Sequence, residues 1–207
     1  MYVPPPNAVT DEAEIRAMVA ALGAAELVTV GPDSYPRSTL LPILWQGDRV
    51  LAHFARANDH WKTIGSDAPT LLVCAGAQAY ISPSWYASKR EHGRVVPTWN
   101  YSTVHLRGRA TIHDDPDWVR DMVTQLTGHH EHDRDEVWQV TDAPASYVAG
   151  QLRAIVGVEI RVEQVDAKRK LSQNRADADR RGVVTGLRAE GTADAAVMAD
   201  EMERLDP

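Results

Sequence analysis

The stretch that decides the fold is NYSTVHLRGRATIH at residues 100–113, in which apolar and polar side chains alternate. In an extended chain, successive side chains point to opposite faces. One face would carry Val104, Leu106, Ala110 and Ile112. The other face would carry Thr103, His105, Arg107, Arg109 and Thr111. A strand with one apolar and one polar face is typical of an antiparallel barrel or sandwich, whereas a strand buried on both faces is apolar throughout.

Shorter strand patterns lie on both sides of this stretch, at residues 26–30, 37–45, 49–55, 70–75, 79–82 and 155–162. Turn residues at 31–34 and 46–48 separate the first three. No long helical pattern interrupts residues 26–113, which disfavours a parallel sheet with crossover helices. We therefore predict a mainly β (α+β) fold, with an antiparallel barrel and peripheral helices.

Helical periodicity predicts helices at residues 11–22, 114–127 and 143–153. Residues 163–191 are polar and rich in arginine, and we interpret them as a loop with a short helix. A final helix over residues 192–205 is predicted as an appendage to the core.

Composition excludes several classes of protein. The chain has 207 residues, 43% of them hydrophobic, a formal charge of −7 and one cysteine. It contains no apolar run of the roughly 18 residues that span a bilayer and no secretory signal, so we predict a cytoplasmic protein without a membrane segment. A single cysteine excludes an internal disulfide, and Cys74 is interpreted as a small buried residue.

The charge is unevenly distributed. Residues 161–188 hold eight Lys and Arg against four Asp and Glu, while residues 189–207 hold one Arg against six acids. The basic stretch either meets an anion or is compensated by the acidic tail. Direct DNA binding is disfavoured because the chain is acidic and has no helix-turn-helix with a basic recognition helix.

Two histidine-containing segments are candidates for chemistry. His129, His130 and His132 are interpreted as part of a solvated loop, since consecutive histidines seldom converge on a metal. In the second segment, His53 ends a strand and is followed by Arg56, Asn58 and His60. We interpret His53 as a histidine that satisfies a backbone carbonyl while Trp61 fills the core; the alternative is a metal or heme ligand with an anion partner.

Aromatic residues concentrate at residues 80–101, mixed with Ser, Thr and Asn. Stacking faces with hydrogen-bonding groups at the rim are what a flat conjugated ligand needs. The alternative is a packed aromatic loop that closes a barrel end or a dimer interface.

Several segments resemble the PaiB-type family of FMN-binding negative transcriptional regulators. They are MYVP (1–4), NDHW (58–61), AYISPSWY (79–86), VPTWNY (96–101) with His105, and KLSQNR (170–175). The resemblance extends from residue 1 to about 184 and implies a six-stranded antiparallel split β-barrel that forms a homodimer, with a flat cofactor between subunits. It implies a domain over residues 1–184, followed by an acidic helical tail over residues 185–207.

The resemblance implies FMN or heme b as cofactor, with a regulatory or redox role towards a small-molecule substrate or effector. One branch of the family binds heme b and includes piperazate synthases, which form an N–N bond, and there His53 would be the metal ligand, with His60 and His105 as alternatives. A regulator or interaction module without a cofactor is the other interpretation. The candidate cofactor-binding residues are His53, Arg56, Asn58, His60, Tyr80, Ser82, Trp85, Tyr86, Trp99, Asn100, Tyr101, His105, Arg107, Lys170, Gln173 and Asn174; no catalytic residue is assigned.

Overall fold

The computed structural model describes residues 1–205 and consists mainly of antiparallel β-structure with helices. The strands are β1 (Ala8–Val9), β2 (Ala24–Val30), β3 (Pro36–Pro42), β4 (Leu44–Gln46), β5 (Arg49–Ala55), β6 (Ala68–Ile81), β7 (Thr98–His113) and β8 (Ile155–Lys170). The helices are α1 (Glu12–Leu22), α2 (Ser88–Glu91), α3 (Pro116–Glu131), α4 (Ala145–Leu152), α5 (Asp177–Glu190) and α6 (Ala193–Arg204).

The sheet has the order β3-β2-β6-β7-β8-β5-β4, and β1 pairs with β8. The mainly β fold class is therefore confirmed, but the expected number of six strands is wrong, because the described residues form eight. One extra strand arises where residues 37–45 were expected to be continuous. There the Ile43 amide donates to the carbonyl of Gly23 at 2.9 Å, which separates β3 from β4.

The described chain divides into two compact units. Unit 1 comprises Met1–Ile15, Ala75–Val104 and the chain from Asp166 onwards, while unit 2 comprises Arg16–Cys74 and His105–Val165. The strands β6, β7 and β8 contribute residues to both.

The core of unit 2 follows from strand alternation. In β5 the side chains of Val50, Ala52 and Phe54 are fully buried, and they pair with Ile160, Val158 and Val156 of β8, which are fully buried as well. The opposite face of β5 is covered by helices, because Leu51 packs in a cluster with residues of α3 and α4 such as Val119 and Leu152. Both faces of β5 are therefore occupied.

The alternation predicted for β7 is present. Leu106 and Ala110 are fully buried, while Arg107 is exposed and His105 and Arg109 are half-buried on the opposite face. Thr103 was expected on the polar, open face, but it is buried. The backbone of β8 lies close to Gly108. A Cβ atom at this position would lie 2.1 Å from the Arg161 carbonyl oxygen, so only glycine permits the approach.

Two expectations for the C-terminal region are wrong. Residues 163–170 continue β8 instead of forming a loop, and α5 then spans fourteen residues. The final helix is not an appendage, because Met198 and Met202 of α6 are buried with Val183 and Leu187 of α5 in the core of unit 1. The predicted domain boundary at residue 184 falls inside α5 and stays a prediction.

The tail also compensates part of the basic stretch. The Arg188 guanidinium of α5 contacts the Asp200 carboxylate and lies 3.0 Å from the Glu203 carboxylate, both on α6. Intramolecular pairing therefore accounts for one arginine of the basic stretch.

Replacing Gly157 by alanine tests how α3 packs on the sheet of unit 2. An ideal Cβ at Gly157 would lie 2.1 Å from Cζ3 of Trp118, so Gly157→Ala must displace the indole ring. We expect the free energy of unfolding to fall by about 1–3 kcal/mol, the usual cost of overpacking. Chemical denaturation at equilibrium measures it.

The matched control is Gly128→Ala in α3, where a Cβ would meet nothing within 4 Å. Alanine favours a helix over glycine by about 0.5–1 kcal/mol, so this variant should be neutral or more stable. Equal stability of Gly157→Ala and the parent protein would contradict the packing described here.

Candidate functional site

A groove lies on the open face of the sheet in unit 2 and is lined by residues of β2, β6, β7 and β8. Its volume is about 490 Å³, within the range of roughly 300–1,000 Å³ that is typical of small-molecule sites. Val28, Val30 and Leu71 provide an apolar side, and Arg107 and Arg109 provide a cationic side. This combination suits a ligand with one flat apolar part and one anionic part.

The charges around the groove are partly paired. The Arg109 Nε lies 3.6 Å from the Glu163 carboxylate, and Arg161 Nη1 lies 3.1 Å from the same group. Arg161 also lies 3.6 Å from the Asp67 carboxylate. With Arg107, three guanidinium groups and two carboxylates lie at or beside the groove.

His60 has a structural role at the interior of unit 2. Its Nε2 lies 2.9 Å from the Thr29 hydroxyl and its Nδ1 lies 2.8 Å from the Thr39 hydroxyl. The ring contacts Phe54 edge-on at 5.4 Å between centroids. Because both ring nitrogens are hydrogen-bonded within the protein, His60 is poorly placed to ligate a metal.

Arg56 and Asn58 support the same region. The Arg56 guanidinium forms a fork with the Asp114 carboxylate and donates to the carbonyls of Arg153 at 2.8 Å and Ile155 at 3.0 Å. This contact raises the pKa of Arg56 and lowers the pKa of Asp114. The Asn58 amide oxygen accepts from the His60 amide at 3.0 Å. These contacts hold the turn after β5.

His53 differs from His60, because its buried Nδ1 has no hydrogen-bond partner in the described chain. It pairs with Gly157 across β5 and β8 and lies on the same face as Leu51, the face that α3 and α4 cover. Burial lowers the pKa of His53, so the imidazole is neutral near pH 7. A neutral imidazole with an unpaired nitrogen is the form that ligates heme iron.

In unit 1 the predicted aromatic residues separate into two groups. Tyr86 is buried in the core beneath the Arg175 guanidinium, which lies 4.8 Å from the ring centroid, and Trp85 covers Gly186 of α5. Tyr80 and Trp99 are 48% and 47% exposed, and their ring centroids lie 6.4 Å apart. Only the second pair presents aromatic faces to solvent.

Most of the polar side chains in unit 1 that were predicted to bind a cofactor form hydrogen bonds within the protein. Asn100 is fully buried and exchanges hydrogen bonds with the Ser172 hydroxyl at 3.1 and 3.2 Å. The Gln173 amide bonds the backbone of Leu171 and Arg169, and Ser82 caps the turn at Pro83–Trp85. The Tyr101 hydroxyl accepts from Lys168 at 2.7 Å.

Lys170 and Asn174 line a smaller pocket of unit 1, together with Arg175 and Thr98. Sequence reasoning did not select Arg109, Lys168, Arg175 or the apolar groove residues as site residues. The alternation of β7 was the available signal for Arg109. No comparable signal marked the others, because their placement depends on strand pairing.

The remaining candidates have structural explanations. Cys74 is fully buried as expected, and burial raises the pKa of its thiol to about 12. His129 and His130 lie in the last turn of α3 instead of the expected loop. Within residues 1–205, no group of three or more His, Cys, Asp or Glu side chains is placed to hold a metal ion, and no helix is long and apolar enough to span a membrane.

Comparisons with known proteins identify a matching family and a similar curated protein. The family model described as "Putative FMN-binding domain" matches residues 1–164. The chain is 33% identical over 208 residues to "Protease synthase and sporulation protein PAI 2" of Bacillus subtilis (strain 168), a match that covers 98% of this chain and 97% of that protein.

Two solved structures are similar in fold. The FAD and heme binding protein from Mycobacterium smegmatis has a TM-score of 0.61 at 14% identity, covering 90% of this chain and 80% of its own. The flavocytochrome Anf3 from Azotobacter vinelandii has a TM-score of 0.56 at 16% identity, covering 79% of this chain and 69% of its own. This likeness concerns the fold alone, and it confirms the predicted split-barrel fold class.

The lowered pKa of His60 predicts that the stability of the protein depends on pH. Burial, with the charge of Arg37 next, lowers the pKa of His60 below its ordinary value of 6.5. The unfolded chain therefore binds more protons than the folded chain below about pH 6.5, and stability falls as the pH falls. His53 and His113 act in the same direction, because burial lowers the pKa of each.

We expect the free energy of unfolding to decrease between pH 7 and pH 5, by at most about 1.4 kcal/mol per pH unit for each histidine. Urea denaturation across this range measures the slope, which His60→Gln should reduce. The control is the exposed residue His92, whose replacement by Gln should leave the slope as it is. An identical slope in His60→Gln and the parent protein would show that His60 is not the buried neutral group described here.

Proposed function

The chain belongs to the family described as "Putative FMN-binding domain", which confirms the PaiB-type resemblance, and we propose that it binds FMN in the groove formed by β2, β6, β7 and β8. The observation that carries this proposal is the pairing of an apolar side with two guanidinium groups in one groove. The flat isoalloxazine ring would lie against Val28, Val30 and Leu71. The phosphate group would accept hydrogen bonds from Arg107 and Arg109.

The groove suits FMN by charge as well as by shape. A phosphate monoester carries close to two negative charges near pH 7, and guanidinium groups recognise it through paired N–H donors. The carboxylate of Glu163, which also lines the groove, lies 3.6 Å from Arg109 Nε and helps to orient the guanidinium. When bound, FMN supplies hydride or single-electron transfer, while the protein provides orientation and a dry environment.

We further propose that a second copy of the chain covers the groove. Val30 and Leu40, on the open face of β2 and β3, are 65% and 63% exposed. Large exposed apolar side chains beside a groove are typical of an interaction surface. A homodimer formed on this face would exclude water from the flavin.

We propose that the protein acts in the cytoplasm, either in the redox chemistry of a small molecule or as a regulator that responds to a small-molecule effector. The curated relative is named as a sporulation protein, which supports a regulatory role. The net charge of −7 favours regulation through a bound small molecule over direct contact with DNA.

Arg107→Gln tests the position of the phosphate. We expect this variant to bind FMN about tenfold or more weakly, because a charge-assisted hydrogen bond is lost. Riboflavin lacks the phosphate, so its affinity should change little. Flavin fluorescence titration of the apoprotein measures both dissociation constants.

The matched control is Arg120→Gln, an exposed residue of α3 that does not line the groove, and its affinities should equal those of the parent protein. A loss of the same size for FMN and riboflavin would indicate general damage to the fold. Unchanged FMN binding in Arg107→Gln would place the phosphate elsewhere.

Heme b is a second candidate through the unpaired Nδ1 of His53, but this atom is buried on the face of β5 that α3 and α4 cover, so heme binding requires these helices to move. The neutral imidazole of His53 would hold the iron, and the cofactor would supply the redox chemistry. The two solved structures of similar fold are named for heme and flavin binding or as a flavocytochrome. In this case the protein would resemble the N–N bond-forming branch of the family.

An absorption spectrum of the freshly purified protein separates these functions. Flavin bands are expected for the leading proposal, and a Soret band would favour heme. A featureless spectrum with no binding of added FMN or heme would favour a regulator without a cofactor. If heme is bound, His53→Ala should shift the Soret band, whereas the control His92→Ala should not; an unshifted band in His53→Ala would exclude His53 as the ligand.

A further inference from the structure

Unit 1 contains a pocket that the flavin groove does not explain. Its volume is about 260 Å³, and its walls come from the 3₁₀ turn at Pro5–Asn7, the start of β7 and the turn after β8. This volume lies below the range of roughly 300–1,000 Å³ for drug-sized ligands, so the pocket suits a ligand of only a few heavy atoms.

The pocket is cationic. Lys170 and Arg175 line it, and none of its lining residues within the described chain is acidic. The Lys170 ammonium donates to two neutral acceptors, the Thr98 hydroxyl and the Trp99 carbonyl. Its partners therefore leave the positive charge of Lys170 unneutralised.

Two acidic groups of unit 1 are paired with other cations. Glu14 pairs with Arg169, and Asp166 lies 2.9 Å from the amino group of Met1. Lys168, two residues before Lys170, is buried and donates to the Tyr101 hydroxyl. Arg175 acts on the carboxylate of Asp179, whose pKa burial raises and the charge of Arg175 lowers, whereas the hydrogen-bond partners of Lys170 include no carboxylate.

The turn that carries these groups is rigid. Ser172 adopts a φ of 63°, a left-handed conformation that costs free energy for a residue other than glycine. The buried Asn100 holds the Ser172 hydroxyl, and the Gln173 amide closes the turn onto Leu171 and Arg169. A strained turn held by buried hydrogen bonds fixes its cationic neighbours before any ligand arrives.

The direction of the pKa shift of Lys170 is the one expected for an ammonium group without an anionic partner. Burial, followed by the charges of Lys168 and Arg175, lowers the pKa of Lys170. An anion beside the ammonium would oppose all three effects, because an opposite charge favours the charged form.

We infer that this pocket binds a small oxyanion, the carboxylate or phosphate group of a metabolite, at a site separate from the flavin. Lys170 supplies a point charge and Arg175 a planar fork, a pair of donors that fits tetrahedral phosphate and planar carboxylate alike. The Asn174 side chain, exposed at the rim, would contact the rest of the ligand. The inference does not depend on the identity of the cofactor.

Asn174→Asp is the most direct variant, because it adds a negative charge at the rim and removes no hydrogen bond that the described chain makes. The full-length protein as purified is titrated with inorganic phosphate and, separately, with acetate, by calorimetry at constant ionic strength. We expect saturable binding of at least one anion, weakened about tenfold or more in Asn174→Asp by like-charge repulsion. The tighter anion identifies the ligand class as phosphate or carboxylate.

Lys89→Gln is the matched control, since it removes one exposed lysine of unit 1 outside the pocket, and its affinity should equal that of the parent protein. Amide chemical shifts of Gln173 and Asn174 in the same titration locate the site. The inference is overturned if neither anion binds at about 10 mM, or if Asn174→Asp binds as the parent does. It is also overturned if phosphate releases bound flavin, because the pocket would then hold the cofactor phosphate.

Discussion

The constraint on which the structure depends is the two-residue alternation of β7. Leu106 and Ala110 are fully buried, so Arg107 and Arg109 must lie on the opposite, open face. A slip of one residue would bury two guanidinium groups and expose the apolar side chains, at a cost far above the stability of a domain of this size. Gly108 allows the backbone of β8 to approach at this point. The groove and its charge follow from this one register.

The contacts of the polar side chains distinguish structural groups from candidate ligand groups. His60, Arg56 and Asn100 are conspicuous in sequence, yet each has its donors and acceptors engaged inside its own unit. Buried polar groups need such partners, and satisfying them leaves little for a ligand. By contrast, Lys170 in the unit 1 pocket donates to neutral acceptors, and the Nδ1 of His53 has no hydrogen-bond partner in the described chain. These two groups are therefore candidates for binding ligands other than the flavin proposed for the groove.

The sequence predicted those elements whose pattern is local. The boundaries of β5 agree with the expected 49–55, and the buried face of β7 was assigned from alternation alone. Residues 163–170 were missed because charged side chains mask their strand. The position of α6 was predicted correctly, but its packing in the core was not, because its small apolar stripe gives a weak signal. Pairing between distant strands determines which aromatic residues are buried, so Tyr86 could not be distinguished from Trp99 in advance. For the same reason, the apolar side of the groove could not be assembled from sequence.

A crystal structure of the protein grown with FMN tests the central claim most directly. The account predicts the isoalloxazine ring on the open face of β2 and β6, with a phosphate oxygen at hydrogen-bond distance, about 2.7–3.0 Å, from the guanidinium of Arg107 or Arg109. Flavin bound away from this face, with neither guanidinium group in contact with its phosphate, would contradict it.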